Sequence, residues 1–166
     1  MSRGFVKEGD QEEPPMIPPR AALPDGVTNY VTPEGLKQLE TEKEELITER
    51  SQSNERSERE KRRKAAEIEG KLNLLTARIN SARVLNSAEQ QQGEVRFGAI
   101  VTYQLSTTKN PITLKIVGVD EANIREKKVG FIAPLAKAMI GKKIGDQTTF
   151  DLRGETRQLE IIDISY

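Results

Sequence analysis

Leu36, Leu39, Lys43 and Leu46, then Ala65, Ile68, Leu72, Leu75, Ile79 and Ala82, fall at alternating spacings of three and four in two separate stretches, apolar at every position but Lys43. That rhythm is the narrow stripe of a helix buried along one seam. Thr32-Pro33-Glu34-Gly35 supplies an N-cap hydroxyl, a proline at the first helical position and an acid in the first turn, so a helix is expected from Pro33. Neither stretch contains a proline, and the apex between them, Ser51 to Lys64, has no apolar residue. With Leu46 facing Ile68, the chain reverses near Ser57 and the pair forms an antiparallel coiled-coil hairpin. The alternative is one continuous helix that dimerises. Gly70 stands inside the second helix at a propensity cost of about 1 kcal/mol relative to alanine.

From Gly93 the period changes to two. Val95, Phe97, Ala99, Val101, Tyr103 and Leu105 share one face of a strand, and Lys109-Asn110-Pro111 makes a turn into Ile112, Leu114 and Ile116. Val129 to Ile132 read as a short strand, Pro134 opens a short helix through Ile140 that Gly141 ends, and Thr148 to Leu152 and Leu159 to Ile164 complete the sheet. The fold class is α+β: a helical hairpin followed by a β-rich domain with one short helix. The expected boundaries are a disordered Pro-rich tail over 1–29, the coiled-coil hairpin over 30–86, a linker over 87–92 and the β-rich domain over 93–166. The tail is assigned because Pro14, Pro15, Pro18, Pro19 and Pro24 lie among few large apolar groups. A second reading makes Met16, Ile17 and Pro18-Pro19-Arg20 a docking peptide.

Composition removes several kinds of chemistry. With no cysteine and no histidine, the chain has no disulfide, no thiolate or imidazole ligand and no histidine-dependent triad. Carboxylates alone remain as metal ligands or acid-base groups. The 26 basic and 26 acidic residues cancel, so any role with nucleic acid falls to local charge blocks. No apolar run reaches membrane-span length and no secretory leader is evident, so a cytoplasmic protein without a membrane role is expected.

Several spaced blocks carry a resemblance: NYVTPEGLKQLE from Asn29, EGKLNLLTARINSARVLN from Glu69, FGAIVTY from Phe97, IVGVDEA from Ile116 and APLAKAMIGKKIGD from Ala133. Over Tyr30 to Tyr166 the chain resembles the bacterial Gre transcript-cleavage factor family. The resemblance implies a coiled-coil hairpin that enters the secondary channel of RNA polymerase and a C-terminal domain of FKBP-like fold that docks at the channel rim. It also implies an Asp, with a Glu three residues later, at the hairpin tip, helping to hold a Mg²⁺ that activates water. Two close carboxylates suit a hard cation shared with phosphate and polymerase ligands.

Counted back from Glu69-Gly70, those tip positions hold Ser51 and Asn54, neither of which is an anionic ligand. About two heptads are missing relative to the family pattern, roughly one per arm, which shortens the hairpin by about 10 Å. Glu55 and Glu58 keep a three-residue spacing at the apex. They are interleaved with Arg56 and Arg59 and followed by Lys61, Arg62, Arg63 and Lys64, so that Glu49 to Lys64 holds seven basic groups against four acidic. A positive tip repels Mg²⁺. The expectation is a solvated, salt-bridged hairpin end with no catalytic residue, no metal and no cofactor. The basic block either touches nascent RNA, DNA or polymerase acids or merely keeps the coiled coil soluble; without aromatics it has no stacking platform. Asp120, Glu121, Ala133 and Pro134 are expected on an exposed, polymerase-docking surface, and Leu135 and Ile140 in the core.

The resulting expectation is a monomeric RNA polymerase-binding regulator of transcription elongation, not an enzyme. A true cleavage-stimulating factor using Glu55 and Glu58 is the alternative. Readings from other classes are an FKBP-like prolyl isomerase or chaperone and a structural coiled-coil dimer; the aromatics Phe97, Tyr103, Phe131, Phe150 and Tyr166 are mostly placed to be core, which speaks against a proline pocket.

Overall fold

Thr32 takes extended backbone angles and its hydroxyl accepts a hydrogen bond from the Gly35 amide at 2.9 Å, so the first helix starts where its capping sequence indicates. In this computed structural model, which describes residues 13–90 and 93–166, that helix is α1, Pro33–Ser51, preceded by strand β1, Asn29–Val31. A turn over residues 52–57 reverses the chain into α2, Glu58–Ser81, whose N-cap Ser57 accepts from the Glu60 amide at 3.2 Å. The reversal falls within the expected apex. Leu39, Ile68, Leu72 and Leu75 are buried along the seam. Leu36, Lys43, Leu46 and Ile79 are partly covered, and Ala65 is exposed, so the seam thins toward the apex.

Ala82 does not continue the helix. It begins strand β2, Ala82–Val84, which pairs in parallel with β1 in the register Asn29 to Ala82 and Val31 to Val84. Parallel strands need a long crossover, and here the helical hairpin is that crossover. Asn29 is buried at the junction and donates to the Arg78 carbonyl at 3.0 Å and to Ser81 Oγ at 3.2 Å. A 3-10 turn at Ser87–Glu89 occupies the start of the expected linker.

The C-terminal domain is a five-stranded mixed sheet. Its strands are β3 (Ile100–Leu105), β4 (Ile112–Val117), β5 (Lys128–Gly130), β6 (Gln147–Leu152) and β7 (Glu155–Ser165), in the order β5-β4-β3-β7-β6. Only β4 and β5 run parallel; a register shift interrupts β3 against β7 between Thr102 and Tyr103. The period-two run from Val95 to Leu105 is buried throughout, although residues 95–99 precede the strand rather than belong to it. Helix α3, Pro134–Met139, ends before Gly141, whose φ of 87° suits a residue without a Cβ. Ala136 and Met139 of α3 enter the core with Val101, Ile116, Leu159 and Ile161, and Leu135 packs against it. Ile140 does not: it is 37% exposed, because the helix stops at Met139 and the chain turns it outward.

The hairpin is not a separate appendage. Tyr30 of β1 joins Phe97 and Phe131 in a ring cluster with centroids 5.7 to 6.1 Å apart. Gly118 lets β1 lie directly against the sheet, since a Cβ there would sit 2.6 Å from the Tyr30 carbonyl oxygen. Residues 13–28 belong to the segment that composition marks as a mobile tail. Ile17 lies against Gly70 of α2, Arg20 bonds Glu42 and Asp120, and the Ala21 carbonyl accepts from Arg78; the rest of that segment, residues 1–12, falls outside the described residues. Among the described residues, no helix is long and apolar enough to cross a membrane.

Candidate functional site: the hairpin apex and the acid pair at its root

The apex is built from helix ends. Ser51 is the last residue of α1 and its hydroxyl donates to the Thr48 carbonyl of its own helix at 2.8 Å. Asn54 is exposed in the turn, and Glu55 is partly covered there. Glu58 is the first residue of α2, where an acid complements the helix dipole, and Lys61 pairs with it at 3.3 Å across one turn. Lys64 reaches the opposite arm, 2.8 Å from Glu49. That hydrogen bond, then the charge of Glu49, hold the Lys64 ammonium above the usual lysine value; desolvation opposes them, and the charges of Glu67 and Glu55 add less. One turn further down, Arg50 bridges to Glu69 at 3.1 Å, and Lys71, bonded to Glu67 at 3.0 Å, keeps that carboxyl below its ordinary range. The acids therefore alternate with cations across both arms. Lys61, Arg62 and Arg63 lie on the exposed start of α2.

The root holds the acids that sequence reasoning placed on an exposed loop. Asp120 and Glu121 follow β4, yet the Asp120 side chain is 6% exposed and Glu121 is buried. Glu121 accepts the Thr32 hydroxyl proton, its two carboxylate oxygens lying 2.6 and 2.9 Å from Oγ1, so the residue that caps α1 also ties it to the β domain. Asp120 accepts from Arg20 Nε at 3.0 Å and lies 3.4 Å from Arg78 Nη1 of α2. Arg20 completes the lattice with a fork onto Glu42 of α1, at 2.8 and 3.1 Å. That bidentate bond is the main reason its pKa is raised; Asp120 adds to it and burial opposes it. Arg78 also donates to the Ala21 carbonyl. Local pattern could not reveal this, because the partners stand up to 100 residues apart.

Ala133 and Pro134 lie elsewhere, at the start of α3. Pro134 is exposed and Ala133 partly covered, its amide bonded to the Gly130 carbonyl at 3.0 Å. The structure thus separates the expected docking residues into a surface pair at α3 and a buried pair at the root. Sequence reasoning missed Glu42 and Arg78, and held Arg20 only as part of a candidate docking peptide. The one sequence signal near them was Gly70, an unexplained glycine within α2. Its absent side chain leaves the space that Ile17 fills, since a Cβ there would meet Ile17 Cδ1 and Cγ1 at 2.7 Å.

Residues 90–166 match the model of the family described as transcription elongation factor, GreA/GreB, C-terminal. Among curated relatives, the transcription elongation factor GreA of Neisseria meningitidis is 35% identical over 100 residues, covering 60% of this chain and 63% of the relative. That of Francisella tularensis subsp. novicida is 38% identical over 100 residues, covering 60% and 62%. The matches thus span just under two thirds of the length of these relatives. Among solved structures, the GreA factor homolog 1 (Gfh1) protein of Thermus thermophilus aligns over 84% of this chain and 100% of its own, with 21% identity and a TM-score of 0.39. GreA/GreB from Nitrosomonas europaea aligns over 82% and 98%, with 18% identity and a TM-score of 0.41. Residues 90–166 thus carry the C-terminal domain of the GreA/GreB family, and over 100 residues the chain is similar to curated GreA proteins.

Proposed function

We propose that this chain is a cytoplasmic RNA polymerase-binding regulator of transcription elongation that works through the secondary channel without stimulating transcript cleavage. The observation that carries this reading is the state of the apex. Ser51 and Asn54 occupy the positions where the family resemblance implies an acid pair, Ser51 is bonded back to its own helix, and Glu58 is paired with Lys61. A Mg²⁺ requires charged oxygen ligands with little competing positive charge nearby. Here the apex presents Arg56, Arg59, Lys61, Arg62 and Arg63 on exposed positions.

In this reading the β domain docks at the channel rim, with Ala133 and Pro134 at the contact, and the hairpin partly fills the channel. Its effect is steric: it alters pausing and backtracking by occupancy. Asp120 and Glu121 serve docking indirectly, by fixing the direction in which the hairpin leaves the domain. The basic block meets phosphate or polymerase carboxylates as point charges.

The test is RNA 3′-end cleavage by a backtracked complex of the cognate polymerase, with and without this protein, in a gel that also reports binding. Binding with altered pausing and no added cleavage is expected. Strong cleavage that is lost on replacing Glu55 and Glu58 by alanine would overturn the reading in favour of a cleavage-stimulating factor.

A further inference from the structure

Residues 15–21 touch the three parts of the molecule that meet at the hairpin root. Ile17 sits over Gly70 of α2, where there is no side chain to exclude it. Arg20 forks onto Glu42 of α1 and bonds Asp120 of the β domain, and the Ala21 carbonyl accepts from Arg78. Pro18 to Ala21 form one wall of an open groove whose other walls are Leu46 of α1, Lys71 and Leu74 of α2, and Val119 beside Asp120. This is a shaped notch followed, three residues on, by a two-carboxylate receptor for a guanidinium.

We propose that this groove is a peptide-binding site, that residues 15–21 are its resident ligand and form a detachable strap, and that the peptides it recognises carry a branched apolar residue three positions before an arginine. The strap is held by side chains. Prolines at 14, 15, 18 and 19 have no N–H to contribute to a strand or helix, so the segment leaves without breaking a backbone ladder. The fork's main partner, Glu42, is 43% exposed, which keeps that pair exchangeable with water. With the strap seated, one guanidinium joins α1 to the β domain. With it released, the hairpin root keeps the Thr32–Glu121 tether, the β1–β2 pair and the aromatic cluster, but Glu42 and Asp120 lose their common cation. An arginine-bearing segment of another protein can then take the seat, and the hairpin direction loosens or resets with the exchange.

The chain contains no cysteine, so spin labels at Arg56→Cys and Asn110→Cys report the apex-to-domain distance without background. The full chain with native Ile17 and Arg20 is expected to give one narrow distance distribution, and the Ile17→Ala/Arg20→Ala chain a distribution about twice as broad, as expected when a brace between packed elements is lost. A fluorescent peptide of residues 13–22 is expected to bind the Ile17→Ala/Arg20→Ala chain and not the native one, whose seat is filled. The same peptide carrying lysine in place of Arg20 is expected to bind about tenfold more weakly, because an ammonium cannot form the fork. A distribution as narrow as the native one in the released chain overturns the strap. Equal peptide binding to both chains, or none to the released chain, overturns the site. Neither readout involves polymerase, so these results stand apart from the fate of the proposed function.

Discussion

Replacing Gly70 by alanine sets two effects against each other. Alanine in a helix interior is favoured over glycine by about 1 kcal/mol. Its Cβ would lie 2.7 Å from Ile17 Cδ1 and Cγ1, and the third neighbour within reach is Ile17 Cγ2 at 3.5 Å. Ordinary carbon contacts begin near 3.5 Å, so Ile17 must retreat by about 1 Å. Isoleucine is stiff about its first side-chain torsion, so the retreat moves the strap backbone rather than a methyl group alone. Burying an isoleucine completely is worth about 1.5–3 kcal/mol, and Ile17 is only partly covered, so losing its seat costs about 1 kcal/mol. Weakening the part-exposed Arg20 pairs adds about 0.5 kcal/mol. In the native background the substitution is therefore neutral or destabilising by about 0.5 kcal/mol. In an Ile17→Ala background all three neighbours are gone and the full gain of about 1 kcal/mol appears. The cycle predicts a coupling of about 1–1.5 kcal/mol, read as a difference of about 2–6 °C between the two melting shifts followed by helical circular dichroism. Equal stabilisation by Gly70→Ala in both backgrounds would mean that Ile17 does not occupy the notch.

Three further outcomes are expected. Thr32→Ala removes a helix cap and leaves the buried Glu121 carboxylate without its hydroxyl donor, for a loss of about 2–4 kcal/mol in urea unfolding, whereas Thr32→Ser stays within about 1 kcal/mol of the native chain. Gly118→Ala drives a Cβ against the Tyr30 carbonyl, a backbone atom, so it should cost about 1–3 kcal/mol and weaken the near-ultraviolet signal of the aromatic cluster. Burial raises the pKa of Tyr103 and of Tyr166; the unfolded chain ionises first, near pH 10, so stability is intact below that pH and falls as pH rises toward the folded values. Urea midpoints between pH 9 and 11.5 check this, and Tyr103→Phe should flatten the decline; a midpoint that climbs above pH 10 would contradict the assignment.

What the sequence made legible was whatever repeats or caps locally. The Thr32 cap, the two apolar stripes, the polar apex and the alternation from Val95 to Leu105 each name their element within a short window. The same window misplaced Asp120 and Glu121. Two acids after a strand read as a solvent-exposed loop, and only the arrival of Thr32, Arg20 and Arg78 from distant parts of the chain turns them into a buried anchor. Parallel pairing of Asn29–Val31 with Ala82–Val84 was invisible for a related reason: each strand is three residues long, and the second lies flush with a helix whose stripe runs through it. Gly70 was the exception, a local anomaly whose cause is long-range.

The parallel strands at the hairpin root make the coiled coil a lever with its pivot in the β domain. With 19 residues in α1, at about 1.5 Å each, the arm is about 28 Å long. A tilt of about 5° at the root then carries the apex about 2.5 Å sideways, more than the length of a Mg²⁺–oxygen bond. Any partner that senses the tip is therefore reading angular error accumulated at Asn29, Thr32 and Gly118. Substitutions there that leave every apex residue in place should act at a distance, as errors of aim.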